Sequence, residues 1–225
     1  MLGRPASHTI DGPSGALEIV IEDPAHAPSG VVVIAHPHPL MGGTMDNKVV
    51  HTLVRAAVQS GWRAVRFNFR GVGRSVGAWD EGRGELQDML AVVDDARLQA
   101  DAHHLPLSLA GFSFGGFVAA SAFVALQQPG RQAAAHLMLV SPATSRYAVP
   151  HVPADTLVVQ GEADDVVPLS SILDWARPQA LPVTVVPGVG HFFHGQLGVL
   201  RDIVKRHMAS WPPAPAPASA GRGAL

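Results

Sequence analysis

Residues 105–116 read LPLSLAGFSFGG, and this stretch decides the fold. Leu105 to Gly111 is an apolar run of strand length that ends on a glycine. FVAASAFVAL (Phe117 to Leu126) then continues as a small-residue, apolar helix. Between them lies Gly111-Phe112-Ser113-Phe114-Gly115, a G-x-S-x-G pattern. A serine at a sharp strand-to-helix turn occupies a strained backbone. Side chains at Gly111 and Gly115 would collide with the neighbouring strand or helix. The pattern alone is common in a chain with 23 glycines. The strand running in and the helix running out give it weight, because a plain glycine-rich packing turn is the alternative.

Working outward, strand-like and helix-like runs alternate. LEIVIE (Leu17 to Glu22) is rich in β-branched residues and follows the turn signal GPSG. VVVIA (Val31 to Ala35) is continuously apolar, as strands buried on both faces are. A helix is expected from about Asp46 to Gln59, with Val49, Val50, Leu53, Val54 and Ala57 on one stripe. WRAVRFNF (Trp62 to Phe69) reads as a strand, and Glu85 to Ala100 as a helix. HLMLVS, TLVVQG and PVTVVPG read as three more strands, and Gln196 to Met208 as the last helix. This alternation predicts an α/β fold with a mostly parallel twisted sheet covered by helices on both faces. LEIVIE, turning back on the N-terminal segment, is expected at an antiparallel edge. One domain is expected over residues 1–211. PPAPAPASAGRGAL (212–225) has little to bury and is expected to be a disordered tail.

Composition narrows the functional classes. Apolar residues make up 47% and charged residues 15%, as in a globular domain. The net charge is −2 with no Lys/Arg run, so a nucleic-acid partner is not expected. The chain has no cysteine, which excludes disulfides, thiolate metal sites and a thiol nucleophile. No apolar run reaches the ~20 residues that span a bilayer, and the N-terminus lacks a secretory apolar core. A cytoplasmic protein with no membrane partner is expected.

A serine hydroxyl needs a base to become a nucleophile, and the base needs an orienting group. For a serine on such a turn, the partners are expected in the order Ser, Asp or Glu, His. TLVVQGEADDVVP offers Asp164 and Asp165 just past a strand, and PVTVVPGVGHFFHG offers His191 and His194 past the next. Ligands gather beyond the carboxyl ends of strands in open α/β sheets. His191 follows Gly190 in a glycine-rich loop and is preferred, since His194 opens the last helix. An oxyanion would need two N–H donors. Phe114, following the serine, is one. The loop HPHPLMGG after VVVIA offers the other, and Pro37 and Pro39 have no N–H. That leaves His38 and Leu40.

Two other signals are set aside. His36 and His38 form H-x-H, but no further acidic or histidine cluster lies nearby in sequence, so no metal site is expected. His36 is read as bonding loop backbone. RGVGRSVG (Arg70 to Gly77) has Val76 where a dinucleotide fingerprint needs its third glycine, and it reads as a tight loop. Phe112, Phe114, Phe192, Phe193, Leu40, Met41 and Trp79 flank the proposed site, as acyl-pocket lining or as core.

HPHPLMGGTMDNKVV, RFNFRGVGRS, GFSFGGF, GEADDVVP and GHFFHG together resemble the small bacterial α/β-hydrolases related to dienelactone hydrolase and to lidless carboxylesterases. The resemblance implies the α/β-hydrolase fold, with Ser113 as nucleophile, Asp164 as acid and His191 as base. Asp164, rather than Asp165, matches the Asp of the family's G-x-x-D-x-x-V-P loop. His38 matches the third position of its H-G-x pattern and is favoured over Leu40. Dienelactone hydrolase itself has cysteine where this chain has Ser113, which points away from dienelactones and toward ordinary small esters. The expected reaction needs no cofactor, and a neutral imidazole base implies activity rising through roughly pH 6–7. An amidase or aminopeptidase on the same triad, or a non-catalytic binding module, are the rival readings. Only some dozen residues, several of them proline, separate HLMLVS from TLVVQG, too few for a cap domain, so an open cleft is expected.

Overall fold

A computed structural model of the chain describes residues 5–99 and 104–211. Its elements, in order, are β1 (His8–Gly12), β2 (Gly15–Glu22), β3 (Val31–Ala35), α1 (Lys48–Gln59), β4 (Arg63–Phe67), α2 (Arg83–Leu98), β5 (Leu107–Phe112), α3 (Phe114–Leu126), β6 (His136–Val140), β7 (Leu157–Gly161), α4 (Leu169–Ala176), β8 (Thr184–Val186) and α5 (Leu197–Met208). The strands form one sheet in the order β1-β2-β4-β3-β5-β6-β7-β8. β1, β2 and β4 pair antiparallel, and β4 through β8 pair parallel. This is the α/β-hydrolase fold.

The continuous apolar strands are buried on both faces, as a parallel sheet requires. β3 shows how. Val31, Val33 and Ala35 join the core beneath α2, α3 and α4. Val32 and Ile34 join the opposite core beneath α1 and α5. Side chains alternate across the pleat, so five consecutive apolar residues serve two cores. Each large one removed from water contributes about 1.5–3 kcal/mol.

Helix boundaries moved by one or two residues where capping decides them. α1 starts at Lys48, because the Asn47 side chain accepts the Val49 N–H at 2.8 Å. α2 starts at Arg83, where Glu85 reaches back to the N–H groups of Asp80 and Gly82. Ala100, the expected end of α2, and the expected tail 212–225 lie outside the described residues. The antiparallel edge is real, but β1 rather than β2 is outermost. α4 was not anticipated. It is eight residues long and buries only Ile172 and Ala176, too sparse a stripe to read as a period. Between β6 and β7, residues 141–156 contain no helix or strand, so that connection builds no cap. No helix among the described residues is long and apolar enough to cross a membrane.

The strand-to-helix turn at Ser113 sits mid-sheet, between β5 and α3. A Cβ on Gly111 would strike the Gly115 carbonyl oxygen, and one on Gly115 would strike the carbonyl oxygens of Ala35 and His36. The obstacles are backbone and cannot swing aside. Gly115→Ala is therefore expected to lower unfolding free energy by about 1–3 kcal/mol in urea titration. Wild-type stability in that variant would mean that α3 rides less closely on β3 than described.

Candidate active site

Ser113 holds φ 57° and ψ −118°. Such a conformation costs on the order of 1–3 kcal/mol and persists only where its surroundings impose it. Here the Ser113 N–H donates to the Val140 carbonyl, while the Ser113 carbonyl accepts from the N–H groups of Gly116, Phe117 and Ala143. The turn is thus tied to β6 and to the loop after it.

The Ser113 Oγ lies 3.1 Å from Nε2 of His191, and Nδ1 of His191 lies 2.8 Å from Oδ2 of Asp164. An ionised carboxylate only accepts, so the proton sits on Nδ1 and leaves Nε2 open to the serine hydroxyl. His191 packs against the ring of Phe112, with Phe192 set edge-on beside it. Asp164 is held on every side. Its Oδ1 accepts from the Val166 and Val167 N–H groups, and its Oδ2 also accepts from Nε2 of Gln160. Burial pushes the Asp164 carboxyl up, but the bonds from His191, Val167 and Val166 outweigh it and hold the group below its ordinary value. Asp165 and His194 are exposed and take no part in this chain of bonds.

Beside Ser113 opens a cleft of about 260 Å³ lined by residues that include His38, Met41, Phe114, Arg146, Tyr147 and Phe192. The N–H groups of Phe114 and His38 make no hydrogen bond to any described residue. The Leu40 N–H is taken by Nδ1 of His38 at 3.2 Å, and Leu40 does not line the cleft. Of the flanking apolar residues, Met41, Phe114 and Phe192 line the cleft. Phe112 and Phe193 are core, Leu40 is exposed, and Trp79 packs with tilted rings against His38 and Phe114.

The family described as serine aminopeptidase, S33, matches residues 26–154, more than half of the chain. The chain belongs to this family of α/β serine hydrolases. An α/β serine hydrolase homologue from Coxiella burnetii is 38% identical, with 92% of this chain and 98% of that one covered and a TM-score of 0.80. An α/β serine hydrolase without lid from Xanthomonas campestris is 35% identical, with 96% and 98% covered and a TM-score of 0.85. An uncharacterized protein of Rickettsia prowazekii is 28% identical over 197 residues, 82% of this chain and 80% of its own. The family match stops short of Asp164 and His191, so their convergence on Ser113 is a finding of the fold geometry alone.

Sequence reasoning missed three parts of this hydrolase's site. Arg146 and Tyr147 come from a loop with no motif, and only the sheet order brings them to the cleft. Gln160 did leave a signal: it is the one amide in an otherwise apolar strand, four residues before Asp164. His36 fulfils its structural reading. Its Nδ1 bonds the Pro37 carbonyl at 2.6 Å, and its Nε2 accepts the Phe69 N–H at 3.1 Å. Both ring nitrogens are thereby committed to backbone.

Burial lowers the His36 imidazole from 6.5 to about 4, against the opposing pull of the Pro37 carbonyl. Between those values the unfolded chain binds a proton that the folded chain refuses. Stability therefore falls as pH drops from 6.5 toward 4, by roughly 3 kcal/mol for this one group. His36→Gln should flatten the loss of unfolding free energy measured across that interval. A slope equal to wild type would show that the imidazole takes up its proton in place.

Proposed function

We propose that this serine hydrolase cleaves small carboxylic esters through an acyl–Ser113 intermediate. The observation that carries the reading is the continuous bonded path from Ser113 Oγ through His191 to Asp164, opening on a cleft beside two unspent N–H donors. Ser113 Oγ attacks the ester carbonyl carbon and passes its proton to Nε2 of His191. The carbonyl oxygen becomes an oxyanion, which the N–H groups of Phe114 and His38 receive; one such donor contributes about 2.7–4 kcal/mol. Asp164 keeps the imidazole in the required tautomer and stabilises its cationic form. His191 then gives the proton to the departing alcohol. A water molecule, deprotonated by His191, attacks the acyl carbon and returns Ser113 to its starting state. Every proton and every charge is handled by the chain's own residues, so no cofactor enters.

The small cleft, below the range of about 300–1,000 Å³ of drug-sized ligand sites, favours small acyl or alcohol groups. The family's aminopeptidase description raises a rival. An aminopeptidase must hold a substrate ammonium, which a carboxylate does best. Among the described residues no Asp or Glu lines this cleft, and an arginine does. That charge pattern favours an ester over a peptide with a free amino terminus. It leaves hydrolysis of a small carboxylic ester as the favoured reaction.

Three measurements test the reading. A fluorophosphonate should label wild-type protein at Ser113. Ser113→Ala should abolish that adduct and cut kcat for 4-nitrophenyl butyrate by about 10⁶, as in other triads. Wild-type protein should also cleave an ester far faster than the matched amide. An unlabelled wild-type protein would favour a binding module, and faster amide cleavage would favour a peptidase.

A further inference from the structure

The cleft has a polarity that the hydrolytic reading leaves unused. Arg146 lines it, is exposed, and pairs with no carboxylate among the described residues. The two acids whose fields reach its neighbours His38 and Tyr147 are committed elsewhere. Glu85 accepts the Asp80 and Gly82 N–H groups, and Glu81 pairs with Arg83. Asp164 is buried behind His191. A lone guanidinium facing a cleft without an acid is a cation waiting for an anion from outside the chain.

The other polar side chains on the same wall are also set up to donate. His38 spends its Nδ1 lone pair on the Leu40 N–H, which leaves the ring proton on Nε2. Asn47 turns its Oδ1 to the Val49 N–H, and its amide group carries two further N–H donors. The phenol of Tyr147 accepts and donates nothing within the described chain. The rest of the wall is apolar, with Met41, Phe114 and Val167 on it.

The backbone that carries Arg146 is fixed to the reacting centre. The Arg146 and Tyr147 N–H groups both donate to the Ala143 carbonyl, and the Ala143 N–H donates to the Ser113 carbonyl. Tyr147 stacks on Phe117 at 4.8 Å. Before Arg146, Thr144 bonds Ser171, and after it the Val149 carbonyl accepts from the Trp175 indole N–H. The loop is held on both sides of Arg146, whose backbone is tied to that of Ser113 through two successive hydrogen bonds by way of Ala143.

We infer that the natural substrate is an ester bearing a free carboxylate, which Arg146 binds while Ser113 attacks the ester carbonyl. A guanidinium presents two parallel N–H donors that match the two oxygens of a carboxylate. The inference rests on the ester-hydrolase reading of the same site and names the substrate class within it. Arg146 is a specificity-determining residue here, touching the substrate away from the bond that breaks.

Matched pairs of 4-nitrophenyl and aryl esters test it, one pair with the carboxylate on the acyl chain and one with it on the alcohol. Mono-4-nitrophenyl glutarate against its methyl-capped diester is an example of the first. Wild type should show a higher kcat/KM for the free acid in at least one pair, and added salt should erode that preference. Arg146→Gln should reduce the acid-to-capped ratio about tenfold or more, Arg146→Lys should keep part of it, and Arg146→Glu should reverse it. Equal turnover of free and capped esters by wild type overturns the inference and leaves the ester reading standing. A preference that survives Arg146→Gln also overturns it. Protein that reacts with the fluorophosphonate at Ser113, yet before labelling hydrolyses no ester in either pair nor 4-nitrophenyl butyrate, overturns the ester reading, and the carboxylate assignment falls with it.

Discussion

Ser113 sits in a backbone conformation that an L residue adopts only under compulsion, and the compulsion comes from close packing at two glycines. Without a Cβ at Gly111 and Gly115, α3 lies against the ends of β5 and β3. That contact turns the chain through a tight angle and lifts the serine hydroxyl clear of the sheet. The same turn puts the Phe114 N–H at the first position of α3, where no helical carbonyl can reach it. One steric constraint thereby exposes a hydroxyl and an unspent donor side by side.

The sheet order does the rest of the assembly. β3 and β5 are neighbours, so the His38 loop abuts the turn at Ser113. β7 and β8 are neighbours, so the Asp164 and His191 loops meet each other. β6 stands between these pairs and delivers Ala143 and Arg146 to the same rim. All these strands run parallel, so their carboxyl ends share one edge of the molecule. Residues 78 positions apart come within 3.1 Å without any motif linking them.

Charge within the site is managed by hydrogen bonds more than by exposure. Asp164 is buried, yet its four bond donors keep it in the form that burial disfavours. His36, buried as deeply, is kept neutral instead, because its partners are backbone groups and no carboxylate. The two side chains show opposite outcomes of the same desolvation, decided by what each one touches.

The periodicity of the sequence was enough for the α/β architecture, since an apolar run of strand length alternating with amphipathic helices admits few other packings. It was also enough for the turn at Ser113, because glycine, serine and glycine at fixed spacing between a strand and a helix are a local steric requirement. Asp164 and His191 were legible as candidates, since loops after strands are recognisable one at a time. Choosing them over Asp165 and His194 needed a family likeness at the acid loop and a glycine-rich context at the histidine. α4 stayed hidden because two buried residues make no period. Arg146, Tyr147 and the amide of Gln160 acquire meaning only through neighbours distant in the chain. The sequence by itself determined which segments are strands and helices and where a serine would be forced outward, because those are short-range matters of sterics and burial. Tertiary structure alone decided which loops meet, which donors stay free and which charge faces the cleft, because these depend on strand order, and strand order is written in no local stretch of residues.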